Sequence, residues 1–222
     1  MILHTRRARF RTALKPCWVV LFLLTGTARA VAQDPGPIGP YVLDLRGSFI
    51  SVGQDTLLAA NRGLGPAQLA ASGLGIDIGG HVYLFRWQSI TFGVGASAQF
   101  TSPSRTPGED DPDPNGPTVK TKFMAISPQL SFNFGHGDGW SYLSGGLGTS
   151  RLSVFVDDGT EPDQRRAGTL NYGGGARWFV RPRLAFSFDV RIFAISPLEQ
   201  TETEPGSPRL TRMAFSAGVS FR

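Results

Sequence analysis

One short segment carries the residue types that bind calcium. Residues 111–116 read DPDPNG, which matches the opening of a calcium loop with Asp111, Asp113 and Asn115 as ligands. The twelfth position of such a loop holds a bidentate glutamate, but here it is Lys122, and prolines stiffen the turn. We therefore expect no metal and no cofactor, and interpret this segment as a solvated acidic loop.

A second combination, His81 with Asp77, has the chemistry of a general base and its orienting acid. Both residues share one parity of an alternating run, so their side chains point to the same side. However, His81 lies toward the short-turn end of that run, and no serine stands near a histidine where the long loops begin. The Gly-rich segments GGGAR and GGLGTS neither open a helix nor carry the lysine of a phosphate-binding loop. We predict that the protein is not an enzyme.

The segment LAFSFDVRIF, residues 184–193, places two opposite charges in an apolar run. Its large apolar residues mostly share one parity, whereas Asp189 and Arg191 fall on the other parity with alanine and serine. Side chains alternate across a strand with a period of two. The pattern therefore predicts a β-strand with one apolar and one polar face.

Alternating runs of this kind recur eight times. They cover Tyr41–Val52, Leu74–Phe85, Ile90–Thr101, Lys122–Phe134, Trp140–Val154, Leu170–Val180, Leu184–Ile195 and Leu210–Phe221. The fifth run is rich in Gly and Ser, which leaves the phase of its two faces open. Each run is long enough to cross a bilayer when tilted, and their number is even. The sequence therefore predicts an all-β, eight-stranded, antiparallel up-and-down transmembrane β-barrel over residues 41–222.

The connections between the runs alternate in length. The short ones are RWQS, GHGDG and RPR, and the others are long, mostly polar segments such as DDGTEPDQRRAG. Short turns on one rim and long loops on the other are typical of transmembrane barrels. The first long loop, residues 53–73, is apolar enough that we expect it to pack over the barrel mouth.

Alternation alone leaves open which face of the barrel points outward. A soluble, lipocalin-like barrel would show its polar parity to water, and that face would be rich in Lys and Glu. Here the polar parity is mostly Gly, Ala, Ser, Thr, Asn and Gln, and the only lysines beyond residue 32 are Lys120 and Lys122. Small residues suit the narrow lumen of an eight-stranded barrel. We therefore expect the apolar parity to contact lipid and the polar parity to fill the lumen.

Seven charged residues fall on the predicted inward parity. They are Asp44, Arg46, Asp77, Arg177, Asp189, Arg191 and Arg212. Because isolated buried charges are costly, we predict a salt-bridge network in the lumen. Within it, we expect Asp189 and Arg191 to pair with inward charges on neighbouring strands, among them Arg177 and Arg212. Closure of the last strand against the first should bring Asp44 and Arg46 into the same layer.

A set of aromatic residues marks the rim that carries the short turns. Its members are Tyr41, Trp87, Trp140, Trp178 and Phe221. Aromatic rings favour the membrane–water interface. We predict that these five residues form one interfacial girdle.

The N-terminus has the features of a secretory signal peptide. A basic start precedes the apolar segment CWVVLFLL, and small residues allow cleavage after Ala30 or Ala32. We assign residues 1–30 to the signal peptide, which includes Cys17, and residues 31–40 to an N-terminal periplasmic segment. Six of the 22 Lys and Arg precede residue 31 but none of the 17 acids does, which leaves 16 positive against 17 negative side chains. The basic pI therefore gives no reason to expect a nucleic-acid partner.

The segments YLSGGLG, LNYGGGARWF and RMAFSAGVSFR complete a pattern that resembles the small eight-stranded outer-membrane barrels of the OmpA/OmpX type. The resemblance implies a monomer in the cell outer membrane, in contact with outer-membrane lipids and lipopolysaccharide. It also implies that the barrel-assembly machinery reads an aromatic residue at the end of the last strand, here Phe221. We expect a structural or surface-interaction role. The alternatives are a narrow channel or carrier for small apolar molecules and, less favoured, a lipid A-modifying enzyme.

Overall fold

The chain, in a computed structural model, is described over residues 36–111, 114–156 and 163–222. The predicted signal peptide, residues 1–30, lies outside the described residues, as do residues 31–35 of the predicted N-terminal segment. The described chain contains eight long strands: β1 (Tyr41–Ser51), β2 (Ser72–Trp87), β3 (Ile90–Thr101), β4 (Val119–His136), β5 (Gly139–Val156), β6 (Ala167–Arg181), β7 (Leu184–Ile195) and β8 (Leu210–Phe221).

These strands form a closed ring. Each pairs antiparallel with the next strand along the chain, and β8 pairs with β1 to close the sheet. A two-residue strand, Ser104–Arg105, adds to the loop end of β4. The predicted eight-stranded antiparallel up-and-down barrel is confirmed.

The strands β3, β7 and β8 have the predicted bounds, whereas four others are longer than expected. The largest difference is in the β4–β5 hairpin, whose strands have 18 residues each and remain paired out to Val119 and Val156. At about 3.3 Å per residue, such a strand is about 60 Å long. The hairpin therefore continues well past the rim of the barrel on the loop side.

The two faces of the wall have opposite polarity. In β7, Phe186 is 60% exposed on the outside, whereas Asp189 is only 1% exposed on the inside. The same division holds around the ring, with large apolar residues exposed on the outside, including Leu45, Ile78, Leu130, Leu143, Leu147 and Phe215. An apolar band outside and a polar lumen inside are the arrangement of a transmembrane barrel.

Two-residue turns connect the strands at one end, and long loops connect them at the other. The first loop folds back into the barrel mouth through a short helix, α1 (Thr56–Ala60), and a 3-10 turn, Pro66–Gln68. Leu58 and Leu69 from this loop are almost fully buried, so the expectation that it packs over the mouth is confirmed. We call residues 54–70 the plug. No helix among the described residues combines the length and the hydropathy that a membrane-spanning helix needs.

Candidate functional site

The lumen is filled in three layers along the barrel axis. At the loop end, strand residues such as Ile50, Phe123 and Phe193 form an apolar cluster with the plug. At the turn end, a smaller cluster contains Val42 and Trp140. Between them lies a layer of charged and polar side chains, and we call it the charged layer.

The centre of the charged layer is the carboxylate of Asp44 on β1. Arg177 on β6 donates to its two oxygens from Nε at 2.9 Å and from Nη2 at 2.6 Å. Ser220 donates its hydroxyl at 2.5 Å, and Arg46 Nη2 lies 2.9 Å from Oδ2. A buried ion pair recovers its desolvation cost when it is bidentate and has further hydrogen bonds, as this pair does.

A second ion pair joins β1 to β2 and extends across the lumen. Arg46 Nη1 donates to Asp77 at 2.6 Å, and its Nε donates to Ser187 on β7 at 3.1 Å. Its Nη2 also donates to the hydroxyl of Tyr142 at 3.1 Å. Tyr142 in turn donates to Asp189 at 2.7 Å. The phenol therefore connects the ion pairs of β1 with those of β7.

Space for Tyr142 comes from glycine on the adjacent strand. A Cβ added at Gly175 would lie 2.8 Å from the Tyr142 hydroxyl oxygen. Within the GGGAR segment, Gly175 thus makes room for packing inside the lumen.

The third ion pair lies within β7. Arg191 donates to Asp189 from Nε at 3.1 Å and from Nη2 at 2.9 Å. Its Nη1 and Nη2 also donate to Gln129 and Ser144, at 2.8 and 2.9 Å. Gln129 continues the network to Asn171 at 2.6 Å. Three carboxylates and three guanidinium groups are thus joined in one network with balanced charge.

The structure brings together six of the seven charges that the sequence placed in the lumen, but in different pairs. Asp189 was expected to pair with Arg177 or Arg212, and it pairs with Arg191 instead. Arg177 reaches across the lumen to Asp44. Parity indicates which side of the wall a residue faces, but it does not indicate the position of the side chain along the barrel axis. In addition, the long arginine side chains reach beyond the adjacent strand.

Arg212 stands apart from the network. It is inward-facing and 5% exposed, but it lies at the loop end, beneath the plug and against Gly53. Its Nε and Nη2 are buried without a hydrogen-bond partner among the described residues. The expectation that Arg212 belongs to the charged layer is therefore wrong.

The turn-end layer corrects the predicted aromatic girdle. Tyr41, Trp87, Trp178 and Phe221 are exposed on the outside, at the rim that carries the turns. Trp140 is only 3% exposed and points into the lumen, where it stacks on Phe179 with ring centroids 5.1 Å apart. Its position follows from the phase of β5: Leu143 and Leu147 face outward, so residues of even number on this part of the strand face inward.

Residues 36–40 and Arg222 close the lumen beneath Trp140. Ile38 is buried beside it, and the Pro40 carbonyl accepts a hydrogen bond from the Tyr83 backbone at 2.9 Å. The Arg222 guanidinium lies 3.9 Å from the Phe179 ring centroid and donates to the Gly137 carbonyl. The turn end is therefore covered by protein.

Among the described residues, no carboxylate forms a hydrogen bond or an ion pair with His81. Asp77, which lies four residues before His81 on the same face of β2, is bound to Arg46 instead. Both ring nitrogens of His81 are buried without a hydrogen-bond partner among the described residues. The arrangement does not form the His–Asp pair that a general base needs.

The calcium-loop residues do not form a site in the part of the chain that can be described. Asp111 is bound to Arg105 at 2.9 Å and to the Gly108 backbone at 2.6 Å. Asn115 is exposed, and Asp113 lies outside the described residues. Over residues 36–111, 114–156 and 163–222, no group of three metal-binding side chains occurs.

One arginine ties the plug to the other loops. Arg62 donates to Asp163 from Nε at 3.0 Å and from Nη2 at 2.6 Å. It also donates to the Leu58 carbonyl at 3.1 Å and to Ser207 at 3.2 Å. The first, third and fourth long loops therefore meet at this side chain, which no pattern in the sequence singles out.

Sequence reasoning also missed the uncharged members of the charged layer. Tyr142 was missed because the phase of β5 was open, although Leu143 and Leu147 would have resolved it. Gln129 and Asn171 lie on a recognised polar parity, but no pattern distinguished them from the small polar residues around them.

An eight-stranded ring with an apolar outside and a packed polar lumen defines a small barrel of the outer-membrane type. Among solved structures, the chain is similar to Neisserial surface protein A (NspA), with a TM-score of 0.50 and 16% identity over 82% of this chain and 97% of that one. It is also similar to Ail of Yersinia pestis, with a TM-score of 0.44 and 13% identity over 82% and 96% of the two chains. It is similar as well to the N-terminal barrel domain of Pseudomonas aeruginosa OprF, with a TM-score of 0.41 and 14% identity over 82% of this chain and 96% of that one. These likenesses concern the fold. No family model matches the sequence, and no curated protein matches it.

Proposed function

We propose that the protein is a monomeric outer-membrane barrel with a closed lumen and a structural or surface-interaction role, exerted by its loops. The turns then face the periplasm, with residues 36–40, and the loops face outward. The exposed apolar band supports the membrane location. Phe221, exposed at the end of β8, supports recognition by the barrel-assembly machinery.

The observation that carries this proposal is the filling of the lumen at three heights. Ile38 and Trp140 cover the turn end, the ion pairs of Asp44 and Arg177 cross the middle, and the plug covers the loop end. An eight-stranded barrel is narrow enough for side chains to fill it. Side chains at these three heights support a closed lumen, and a closed lumen favours a surface role over transport.

Planar-bilayer recording tests the closed lumen directly. The purified protein, reconstituted at known density, should give little or no steady conductance. A variant with Arg177 and Asp44 both changed to alanine serves as the comparison, since it removes the central ion pair. Large, stable open-pore currents from the wild-type protein would overturn the proposal and favour the channel.

Two further measurements test the location and the orientation. Envelope fractionation should recover the protein with the outer membrane, and its gel mobility should change on heating. Protease added to intact cells should cut at Arg105 or Arg165, in the loops, and spare Arg86 and Arg181, beside the turns. The reverse pattern of cleavage would mean that the orientation is inverted.

A carrier for small apolar molecules is a second candidate, because the loop-end half of the lumen is apolar. Its wall contains Ile50, Phe123 and Phe193, and the plug fills the remaining space. Replacing residues 54–70 by a Gly-Ser linker should then increase uptake of an apolar fluorescent probe by cells. Unchanged uptake would remove this candidate.

A further inference from the structure

The outer wall of the barrel carries a groove that neither the ion-pair network nor the plug explains. It lies on the outside of β2, β3, β4 and β5 and has a volume of about 490 Å³. Its apolar lining includes Leu74, Ile76, Phe100 and Met124. This volume lies within the range of sites that hold small molecules or parts of lipids.

Two cations border the apolar part of the groove. Lys122 on β4 is exposed, and Arg151 on β5 is partly exposed and donates to Gln164 at 2.8 Å. Arg151 pairs in register with Met124, and Lys122 pairs with Ser153, so the two cations are diagonal neighbours on the outer face. Such neighbours are about 7–8 Å apart, a spacing that allows both to contact one phosphate group.

The distribution of lysine singles out this part of the wall. Lys120 and Lys122 are the only lysines beyond residue 32, and both lie on β4. Lys120 is already engaged with another residue. The contact found for Lys122 is with the ring of Phe155, whose centroid is 5.0 Å from its Nζ. Among the described residues, neither Lys122 nor Arg151 has a carboxylate within ion-pair distance.

The height of the cations matches the edge of a membrane. On β4, the outward apolar residues run from Phe134 to Met124, a distance of ten residue steps. Ten residues at about 3.3 Å each, tilted by about 40°, span about 25 Å, the height of the apolar band of such barrels. Lys122 follows directly after this band and therefore lies where lipid headgroups begin.

We infer that the groove binds a phosphorylated glycolipid of the outer leaflet, with an acyl chain along Ile76, Phe100 and Met124 and a phosphate between Lys122 and Arg151. An amphiphile with a phosphate next to acyl chains is the ligand whose charges and apolar surface match this wall. The choice of the outer-leaflet glycolipid rests on the proposed orientation, with the loops outside. The plug and the charged layer take no part in the site.

Lipid retention by the purified barrel tests this inference. Lipid A, its dephosphorylated form and phosphatidylglycerol would be titrated separately into the protein in a zwitterionic detergent, and bound lipid counted by native mass spectrometry. Lys122→Ala with Arg151→Ala should weaken lipid A binding by about tenfold or more, because two charge-assisted contacts are lost. The matched control is Arg166→Ala with Arg209→Ala, which removes the same charge from exposed positions outside the groove and should leave binding unchanged.

Each lipid and each variant in this experiment has an outcome that supports or overturns the inference. Preferential retention of lipid A by wild type and control, but not by the groove variant, supports the site. Equal retention of the dephosphorylated lipid would overturn the role of the cations, and equal retention of phosphatidylglycerol would overturn the glycolipid assignment. Equal binding by the groove variant would overturn the location. Because binding in detergent does not depend on orientation, a failure here is distinguishable from a failure of the protease test.

Discussion

The charged layer and the loop-end layer fill the same lumen in different ways. Every charge of the charged layer comes from a barrel strand and has a partner of opposite sign, as Arg177 has in Asp44. The loop-end layer is apolar and is completed by the plug, which is part of a loop. Arg212, the inward guanidinium that a strand contributes to this layer, has no hydrogen-bond partner for two of its nitrogens among the described residues.

This difference shows which half of the lumen is inseparable from the barrel. Removing a member of the charged layer leaves a buried charge unpaired inside the ring of strands, so the whole barrel is destabilised. The plug is held by apolar contacts and by hydrogen bonds to other loops, of which Arg62 makes the most, and its detachment exposes apolar surface without breaking a strand pair. Four variants test this contrast, in order of decreasing effect.

Asp44→Ala should have the largest effect. The change leaves Arg177 without a carboxylate and removes one of the two that Arg46 contacts. We expect the free energy of unfolding to fall by about 5 kcal/mol, the upper end for a broken buried ion pair. Urea titration in lipid vesicles, read by gel mobility, would measure it. Leu45→Val, outward on the same strand, is the control, and a loss below about 1 kcal/mol for Asp44→Ala would contradict the central role of this carboxylate.

Asp189→Ala should cost less, about 3 kcal/mol, because Arg191 keeps its bonds to Gln129 and Ser144. Its neighbour in sequence, Phe188, faces lipid, so Phe188→Leu should change the free energy of unfolding by less than about 0.5 kcal/mol. The temperature at which gel mobility changes would compare the two variants. Equal effects would mean that the two faces of β7 are assigned incorrectly.

Arg62→Ala should affect the plug alone. Loss of its bonds to Asp163 and Ser207 should lower the free energy needed to open residues 54–70 by about 1–2 kcal/mol. The stability of the strands should not change. Hydrogen exchange, followed peptide by peptide, would show faster exchange in the plug. Arg166→Ala, at an exposed loop position, is the control. Faster exchange throughout β1 and β6 would show that the plug and the barrel open together.

The alternation of single residues was enough to predict the eight strands and the faces of most of them. In β7, for example, the large apolar residues of one parity must face lipid, so Asp189 and Arg191 on the other parity must face the lumen. The same rule failed at Trp140, because the Gly- and Ser-rich residues around it give little contrast between the two faces. Aromatic residues near a turn suit either the interface or a lumen cap, and only the phase of the strand distinguishes them.

Pairing in the lumen was beyond what the sequence could predict. The partner of a lumen charge depends on its height, which follows from the stagger of the strands and the reach of each side chain. Arg177 and Asp44 lie on strands that are not adjacent, and Tyr142 bridges charges that share no strand pair. The apolar composition of the first loop did predict its packing, because apolar side chains next to the barrel mouth leave water by packing into it.

Arg212→Met should have the smallest effect and the opposite sign. Arg177 and Arg212 are both arginines with almost fully buried side chains, but among the described residues only Arg177 has a carboxylate within ion-pair distance, whereas Arg212 interacts with Asp55 from farther away. Replacing a poorly compensated buried charge by an apolar side chain of similar length is neutral or stabilising. We therefore expect Arg212→Met to leave the free energy of unfolding unchanged or to raise it by about 1 kcal/mol, whereas Arg177→Met should lower it by about 3–5 kcal/mol. Urea titration of both variants in the same vesicles compares them directly. If Arg212→Met destabilised the protein as much as Arg177→Met does, the contrast between the two layers would fail, since the guanidinium beneath the plug would then be as well compensated as those in the charged layer.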